Sequence, residues 1–297
     1  MSKGTHPAPG TDATEAAEAS EPSRPVDSDS NDSDSITGQE LVLSYSSSEE
    51  PVIDDESITA RSGAVTALVG PNGSGKSTLL KGMADQLTPD HGSVILQGRD
   101  VHSYDTKELA QKLGLLSQES VAPDSITVED LVYHGRYPHR GFFESVSAED
   151  ERAVDRALTL AGCEHLRDRE VGQLSGGQKQ LAWIAMVIAQ DTDILLLDEP
   201  TTFLDLHHQL EVMEIIDTLR NKSDITIIVV LHDIQQAARI ADKMIALKSG
   251  EVRARGTPEE IVTKKLLAEV FDVEAKVQVT DRGPRIEPLS PLNSMDN

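Results

Sequence analysis

The sequence predicts an α/β fold with a mostly parallel core sheet, an antiparallel β portion at its start and an inserted α-helical subdomain. Continuous apolar runs over residues 113–116, 194–197 and 225–231 are typical of parallel strands that are buried on both faces of a sheet. Helical stretches alternate with these runs, as in α/β domains. With 297 residues and 38% hydrophobic content, the chain is able to bury a core of this size.

The two ends of the chain differ from its middle. Residues 1–37 are dominated by Ser, Asp, Glu, Pro and Ala, which leaves little apolar surface to bury. We therefore expect a disordered acidic tail over residues 1–37 and one folded domain over residues 38–282. The last segment, residues 283–297, is rich in proline and polar side chains, and we expect it to be a loose tail.

Short strands open the folded domain. Residues 41–43, 64–69 and 94–96 are apolar and are separated by turns that contain glycine, a pattern that predicts β structure. The α-helical subdomain is expected over about residues 119–172. In that region, Thr127-x-x-Asp130 and Ser147-x-x-Asp150 resemble capping boxes, and each precedes a helical stretch.

The net charge of −24 is the strongest signal in the composition. Residues 1–50 hold 11 acidic and 2 basic residues, a net of −9, so a net of −15 belongs to the remainder. An acidic surface repels phosphate backbones, which argues against nucleic acid as a partner. The acid excess and the aromatic content of only 3% suggest halophilic adaptation to a salty cytoplasm, with an ordinary acidic protein as the alternative.

The sequence predicts no segment that would insert into or cross a membrane. No stretch approaches the roughly 20 consecutive apolar residues of a membrane helix. Residues 1–20 lack the basic start and the apolar run of a secretory signal, so we expect a cytoplasmic protein. The single cysteine, Cys163, excludes an internal disulfide framework.

A phosphate-binding loop is predicted between the strand at 64–69 and the helical stretch that follows it. Residues 70–77 match the pattern G-x-x-x-x-G-K-[ST], and the strand-loop-helix context disfavours the alternative of a simple glycine-rich turn. Its backbone N–H groups would surround phosphate oxygens, while Lys76 reaches the β and γ phosphates and Ser77 binds magnesium. The nucleotide-binding residues predicted here are Gly70, Pro71, Asn72, Gly73, Ser74, Gly75, Lys76, Ser77 and Thr78.

Two adjacent carboxylates, Asp198 and Glu199, follow the apolar run at 194–197. The end of a parallel strand projects its side chains to the carboxyl edge of the sheet, where α/β folds bind ligands. Asp198 is therefore predicted to hold hydrated magnesium. Glu199 is predicted to act as the general base that polarises the attacking water.

The sequence Leu174-Ser-Gly-Gly-Gln178 precedes a helical stretch over residues 179–190. With the phosphate loop and the acidic pair, it resembles the LSGGQ signature of the ABC ATPase superfamily. The resemblance implies a P-loop ABC ATPase fold that uses ATP and Mg²⁺ and works as a sandwich dimer. It also implies that the nucleotide held by the opposite copy is contacted by Ser175, Gly176, Gly177 and Gln178. A glycine-opened helix N-terminus suits this role because it attracts anions.

Four further residues follow the order of motifs in that superfamily. Gln118 resembles the glutamine that contacts magnesium and water and joins the core to the helical subdomain. His232 resembles the switch histidine that contacts the γ phosphate, and Asp205 resembles an aspartate at the dimer interface. Tyr45 resembles the aromatic residue that stacks on adenine, although a single aromatic near a strand is more often a packing residue.

The resemblance extends to a subfamily. Residues 132–139, 182–186 and 200–205 are similar to the ATPases of iron-siderophore importers, a group close to the haem and cobalamin importers. It implies a peripheral subunit at the cytoplasmic face of the cell membrane that energises siderophore uptake. The implied partners are a second copy of the chain, a membrane permease and, indirectly, an extracellular substrate-binding protein.

Import of cobalamin or haem remains the alternative cargo. A soluble ABC protein acting on ribosomes or DNA is disfavoured, because the chain has one motif set, no heptad insertion and an acidic body. His134, His139, His207 and His208 fall into no spacing typical of a metal site.

Overall fold

The computed structural model describes residues 1, 34–48, 50–118, 120–141, 144–222, 224–280 and 283–292. Most of the tail expected over residues 1–37 therefore lies outside the described residues. The strands are β1 (Asp34–Leu43), β2 (Ile53–Arg61), β3 (Val65–Val69), β4 (His91–Leu96), β5 (Arg99–Asp100), β6 (Leu113–Leu116), β7 (Ile194–Asp198), β8 (Thr226–Val230), β9 (Lys243–Lys248), β10 (Glu251–Gly256), β11 (Val273–Thr280) and β12 (Gly283–Pro291). The α-helices are α1 (Lys76–Met83), α2 (Thr106–Lys112), α3 (Val128–His134), α4 (Ala148–Leu160), α5 (Gly176–Ala189), α6 (Leu206–Lys222), α7 (Ile234–Ile240), α8 (Pro258–Ile261) and α9 (Lys264–Phe271).

A six-stranded sheet in the order β10-β9-β3-β8-β7-β6 forms the centre of the fold. All of its pairings are parallel except that of β10 with β9. Every residue of β3, β7 and β8 is buried, because a hydrophobic core packs on each face of the central sheet. The parallel strands expected from the apolar runs are therefore confirmed.

A second sheet, in the order β2-β1-β4-β5, is antiparallel, as expected for the start of the domain. Its apolar face packs with helix α1, through Leu79, Leu80 and Met83, into a core shared with one face of the central sheet. This packing fixes the position of α1, and hence of the loop that precedes it.

Helices α3 and α4 lie in the region expected to form the helical subdomain and pack against α5 through one hydrophobic core. The capping boxes predicted at Thr127/Asp130 and Ser147/Asp150 are both formed, with each hydroxyl accepting from the N3 amide and each carboxylate accepting from the N-cap amide. None of the helices in the described ranges is long and apolar enough to cross a membrane.

The first strand begins earlier than expected. The boundary predicted at residue 37 is wrong, because β1 starts at Asp34 and its buried Ile36 pairs with Ala60 of β2 and with Leu96 of β4. The polar residues around Ile36 concealed this strand, which gains its stability from pairing on both sides.

The loose tail predicted over residues 283–297 is also wrong over residues 283–291, which form β12 and pair with β11. The hairpin is held to α7 by the Gln235 side chain, which accepts from the Ile286 amide at 2.9 Å and donates to the Pro284 carbonyl at 3.2 Å. Proline is compatible with a strand that has a free edge, and β12 pairs on one side only among the described strands. Residues 293–297 lie outside the described part of the chain.

Candidate active site

The phosphate-binding loop predicted over residues 70–77 connects β3 to α1. Gly73 and Gly75 have positive φ angles of 76° and 95°, and Gly75 is the left-handed N-cap of α1. A Cβ atom at Gly70 would overlap the carbonyl oxygen of Leu247 in β9. Glycine is needed at these positions because a side chain would be strained or would push the loop away from the sheet. The loop ends at a helix N-terminus, which attracts anions.

The Lys76 side chain folds back over this loop. Its ammonium group donates to the carbonyl oxygens of Gly70 at 3.0 Å and Pro71 at 2.9 Å, and the residue is only 4% exposed. Burial lowers the pKa of Lys76, while the carboxylates of Glu199 and Asp198 partly offset that effect. A phosphate placed on the loop would offer the ammonium a charged partner in place of two carbonyl groups.

Asp198, the last residue of β7, is buried and accepts a hydrogen bond from the Ser77 hydroxyl at 2.8 Å. Burial raises the pKa of Asp198, the Ser77 hydrogen bond opposes the rise and the charge of Glu199 adds to it. A hydroxyl and a carboxylate side by side fit Mg²⁺, which takes oxygen ligands and keeps several waters. Among the described residues, no group of three His, Cys, Asp or Glu side chains is placed to hold a metal ion.

Both carboxylate oxygens of Glu199 have polar partners. Oε1 lies 2.6 Å from Nε2 of His232, and Oε2 accepts from the Gln118 amide at 2.7 Å and from the Thr202 hydroxyl at 3.2 Å. The backbone of Glu199 is left-handed, with φ of 52°, and its amide donates to the Val230 carbonyl at 3.2 Å. A non-glycine residue in this conformation is strained, and such strain is concentrated at functional sites. The turn directs the carboxylate toward Gln118 and His232.

Apart from the buried Asp198, these groups line one cavity of about 760 Å³. It includes residues 70–78 together with Gln118, Glu199 and His232, so the fold brings together side chains that were predicted from four separate parts of the sequence. Among the residues that the structure describes, four that line the cavity were not predicted: Val52, Thr202, Phe203 and Phe271.

The unpredicted residues differ in how visible they are in the sequence. Thr202 and Phe203 directly follow the acidic pair, so their position next to a predicted base was the available signal. Val52, just before β2, and Phe271, at the end of α9, belong to no motif. Only the folded chain places them beside the phosphate loop.

The residues of the predicted signature do not line this cavity. Ser175 is the N-cap of α5, where its hydroxyl accepts from the Gln178 amide at 3.3 Å and its own amide donates to the Gln178 side chain at 3.1 Å. Ser175 and Gly176 are exposed, whereas Gly177 is buried. The 14-residue helix α5 thus presents an exposed N-terminus outside the cavity of its own chain.

Tyr45 and Asp205 also lie outside the cavity lining. The Tyr45 hydroxyl is 3.4 Å from the Thr78 hydroxyl, at the end of the phosphate loop, and the stacking of its ring on adenine stays a prediction. Asp205 accepts from the backbone amide of His208 at 3.0 Å and lies 2.9 Å from its Nδ1 atom. Hydrogen bonds from the His208 amide and ring hold the pKa of Asp205 below its usual range.

Known proteins resemble this chain over most of its length. The model of the ABC transporter family matches residues 53–202. The ferric enterobactin transport ATP-binding protein FepC of Escherichia coli is 44% identical over 82% of this chain and 89% of its own. The iron(3+)-hydroxamate import ATP-binding protein FhuC of Bacillus subtilis is 42% identical over 83% of this chain and 91% of its own.

Solved structures agree with these relatives. A chain from an inward-facing ABC transporter of the metal-chelate type superimposes with a TM-score of 0.74 and 27% identity, covering 87% of this chain and 98% of its own. A bacterial ABC transporter cassette solved as a dimer gives 0.67 and 28%, covering 75% of this chain and 98% of its own. The site geometry and these similarities lead to one conclusion: the chain is an ATPase that belongs to the ABC transporter family.

Proposed function

We propose that this chain is the ATP-hydrolysing subunit of an importer that takes up ferric siderophores through a separate permease. The observation that supports hydrolysis most directly is the position of Glu199, whose carboxylate meets Gln118 and His232 in the cavity that contains the phosphate loop. The cargo is proposed from the relatives, which are transport proteins for ferric enterobactin and iron(3+)-hydroxamate.

The cavity has a polar and an apolar part, which suggests how ATP lies in it. The phosphates would rest on residues 70–78, with Lys76 on the β and γ phosphates. Ser77, Asp198 and Gln118 would hold Mg²⁺, which neutralises charge on the phosphates when it is bound. The adenine base of ATP would lie against the apolar side chains of Val52 and Phe271.

Hydrolysis needs a group that accepts a proton from the attacking water. In this proposal Glu199 takes that proton while the water oxygen bonds to the γ phosphorus and the bond to the leaving ADP oxygen breaks. Gln118 and His232 keep the carboxylate oriented, since each already contacts one of its oxygens.

The exposed N-terminus of α5 supports a homodimer. Ser175, Gly176, Gly177 and Gln178 lie outside the cavity of their own chain, and their exposed end is suited to an anion held by a second copy. Asp205 would lie at the same dimer interface.

We propose that the helical region around residues 119–172 contacts the permease. The subunit would then be peripheral at the cytoplasmic face of the membrane, and an extracellular binding protein would deliver the cargo.

Disrupting the coding sequence tests the cargo. Growth on ferric siderophore as the sole iron source should be lost, while growth on abundant free iron stays normal. Restoring the parent sequence should rescue growth, whereas restoring a Lys76→Ala variant should not. A strain that still uses siderophore but requires cobalamin or haem would overturn the cargo proposal and leave the ATPase in place.

A further inference from the structure

The imidazole ring of His208 lies between two functional segments that are distant in sequence. On one side, its Nδ1 atom is 2.9 Å from a carboxylate oxygen of Asp205, which also accepts from the His208 amide. On the other side, the ring contacts Gly177 in the first turn of α5. The His208 side chain is 20% exposed, compared with 78% for its neighbour His207.

The contact with Gly177 leaves no room for a side chain. A Cβ atom at Gly177 would lie 2.5 Å from Nε2 of His208 and closer still to two ring carbons, far inside van der Waals contact. At Gly176 the same atom would meet nothing within 4 Å. The second glycine of the signature is therefore needed, within one chain, because His208 packs against it.

Asp205 lies at the end of a short segment, residues 199–205, that begins at the predicted general base Glu199. Thr202 donates to Glu199 at 3.2 Å, and Asp205 follows three residues later. His208 thus links the first turn of α5, which contains Gly177, to the segment that begins at Glu199. Because the ring, the carboxylate and the helix end are packed together, we expect displacement of one segment to disturb the other.

We propose that His208 is a positioning residue that holds the first turn of α5, at Gly177, against residues 202–205. The signature can then reach the partner copy's nucleotide only when residues 202–205 are in place. This inference rests on the proposed ATP-dependent dimer. It assigns His208 no contact with the ATP of its own chain, since it does not line that cavity.

The test compares His208→Ala with the matched control His207→Ala in the full-length chain. We expect His208→Ala to lower kcat at least tenfold, while the Kd of the isolated subunit for a fluorescent ATP analogue changes less than twofold. Combined with Glu199→Gln, it should abolish the dimer that forms with ATP in gel filtration. His208→Asn, which keeps a donor toward Asp205, should recover more activity than His208→Ala. If His208→Ala behaves like His207→Ala, the proposal is wrong.

A second measurement does not depend on activity. Gly177→Ala should lower the thermal unfolding midpoint of the parent chain clearly, but not of the His208→Ala chain, because the clash is then absent. Equal losses in both backgrounds would overturn the packing argument. A His208→Ala chain whose kcat loss merely follows a lowered unfolding midpoint would overturn the positioning role. Failure of the parent chain to hydrolyse ATP would instead reject the proposed function, and the unfolding comparison would still stand.

Discussion

Glu199 combines a strained backbone with a carboxylate whose two oxygens contact three side chains, Gln118, Thr202 and His232. Glu199→Gln keeps the size and most hydrogen-bonding capacity of the side chain but removes its ability to take a proton. General-base catalysis contributes roughly 10²–10⁴ in rate, so we expect kcat to fall at least about 100-fold. The Kd for ATP should stay near that of the parent, and the variant should accumulate as an ATP-bound dimer.

The contrasting variant is Lys76→Ala, which removes the ammonium that contacts the phosphate loop. It should weaken ATP binding itself, as measured by nucleotide titration. Turnover of Glu199→Gln near the parent rate would reject this residue as the base, and unchanged ATP affinity in Lys76→Ala would reject the assignment of the phosphate loop.

Phe271 provides a second residue-level prediction. Stacking of a base on an aromatic ring is worth about 1–3 kcal/mol, so Phe271→Ala should raise the Kd for ATP about tenfold and Phe271→Tyr should restore it. Inorganic tripolyphosphate has no base, and its inhibition constant should not change in Phe271→Ala. Tyr45→Ala tests the competing assignment in parallel. If only Tyr45→Ala loses ATP affinity, the adenine base stacks on Tyr45 and the role proposed for Phe271 is wrong.

At the residue scale, side chains in short motifs could be predicted from the sequence, whereas those placed by packing could not. Lys76, Asp198 and Glu199 could be predicted because their chemistry lies in short contiguous patterns. Phe271 could not, because it comes close to the phosphate loop only through the packing of α9, almost 200 residues further along the chain. Likewise, Gly177 was recognisable as part of a signature, but its contact with His208 is a property of the packed chain.

At the scale of elements, the helical region is tied to α5 by a buried arginine, Arg136. Arg136 donates to Asp150 at 2.9 Å and to the carbonyl oxygen of Ala189 at 2.8 Å, and both charged side chains are at most 5% exposed. Burial would raise the pKa of Asp150, but hydrogen bonds from Ser147 and Arg136 outweigh it and lower this pKa. Arg136 therefore joins the end of α3 to the start of α4 through the ion pair, and to the end of α5 through the Ala189 carbonyl.

Removing one partner of a buried pair leaves an uncompensated charge, which costs about 3–5 kcal/mol. We expect Arg136→Ala to lower the free energy of unfolding by that amount, measured by urea denaturation. Arg156→Ala is the matched control, because Arg156 and Asp191 form a 3.8 Å pair with both side chains more than half exposed. Its effect should be less than about 1 kcal/mol. Similar losses in both variants would show that burial of the Arg136 pair has no special importance.

At the element scale, the sequence predicted those strands and helix ends that have a regular local pattern. The apolar strands and both capping boxes could be predicted because period and spacing are local properties. The β11–β12 hairpin could not, because prolines in β12 suggested a loose tail and its anchor is Gln235 of α7, about 50 residues earlier. Long-range hydrogen bonds of this kind leave no periodic trace in the sequence.

At the scale of the whole molecule, net charge is the dominant feature. The segment over residues 2–33 contains 7 acidic and 2 basic residues, so its removal would leave a net charge of −19 out of −24. Most of the acid excess therefore lies on the folded domain. We propose that this excess is an adaptation to high salt, where the screening length falls from about 10 Å at 0.1 M to about 3 Å at 1 M.

Self-repulsion of that charge should destabilise the fold at low salt. The thermal unfolding midpoint should therefore rise steeply between low salt and molar potassium chloride, and a chain lacking residues 2–33, cut just before β1, should keep most of that slope. Amide substitution tests the cause directly. Glu214, Asp217 and Glu259 are exposed and line one surface hollow, so converting all three to Gln or Asn should raise the midpoint at low salt and flatten its rise. A midpoint that does not respond to salt, or a triple variant with the parent slope, would contradict the adaptation, because screened carboxylate repulsion predicts both effects.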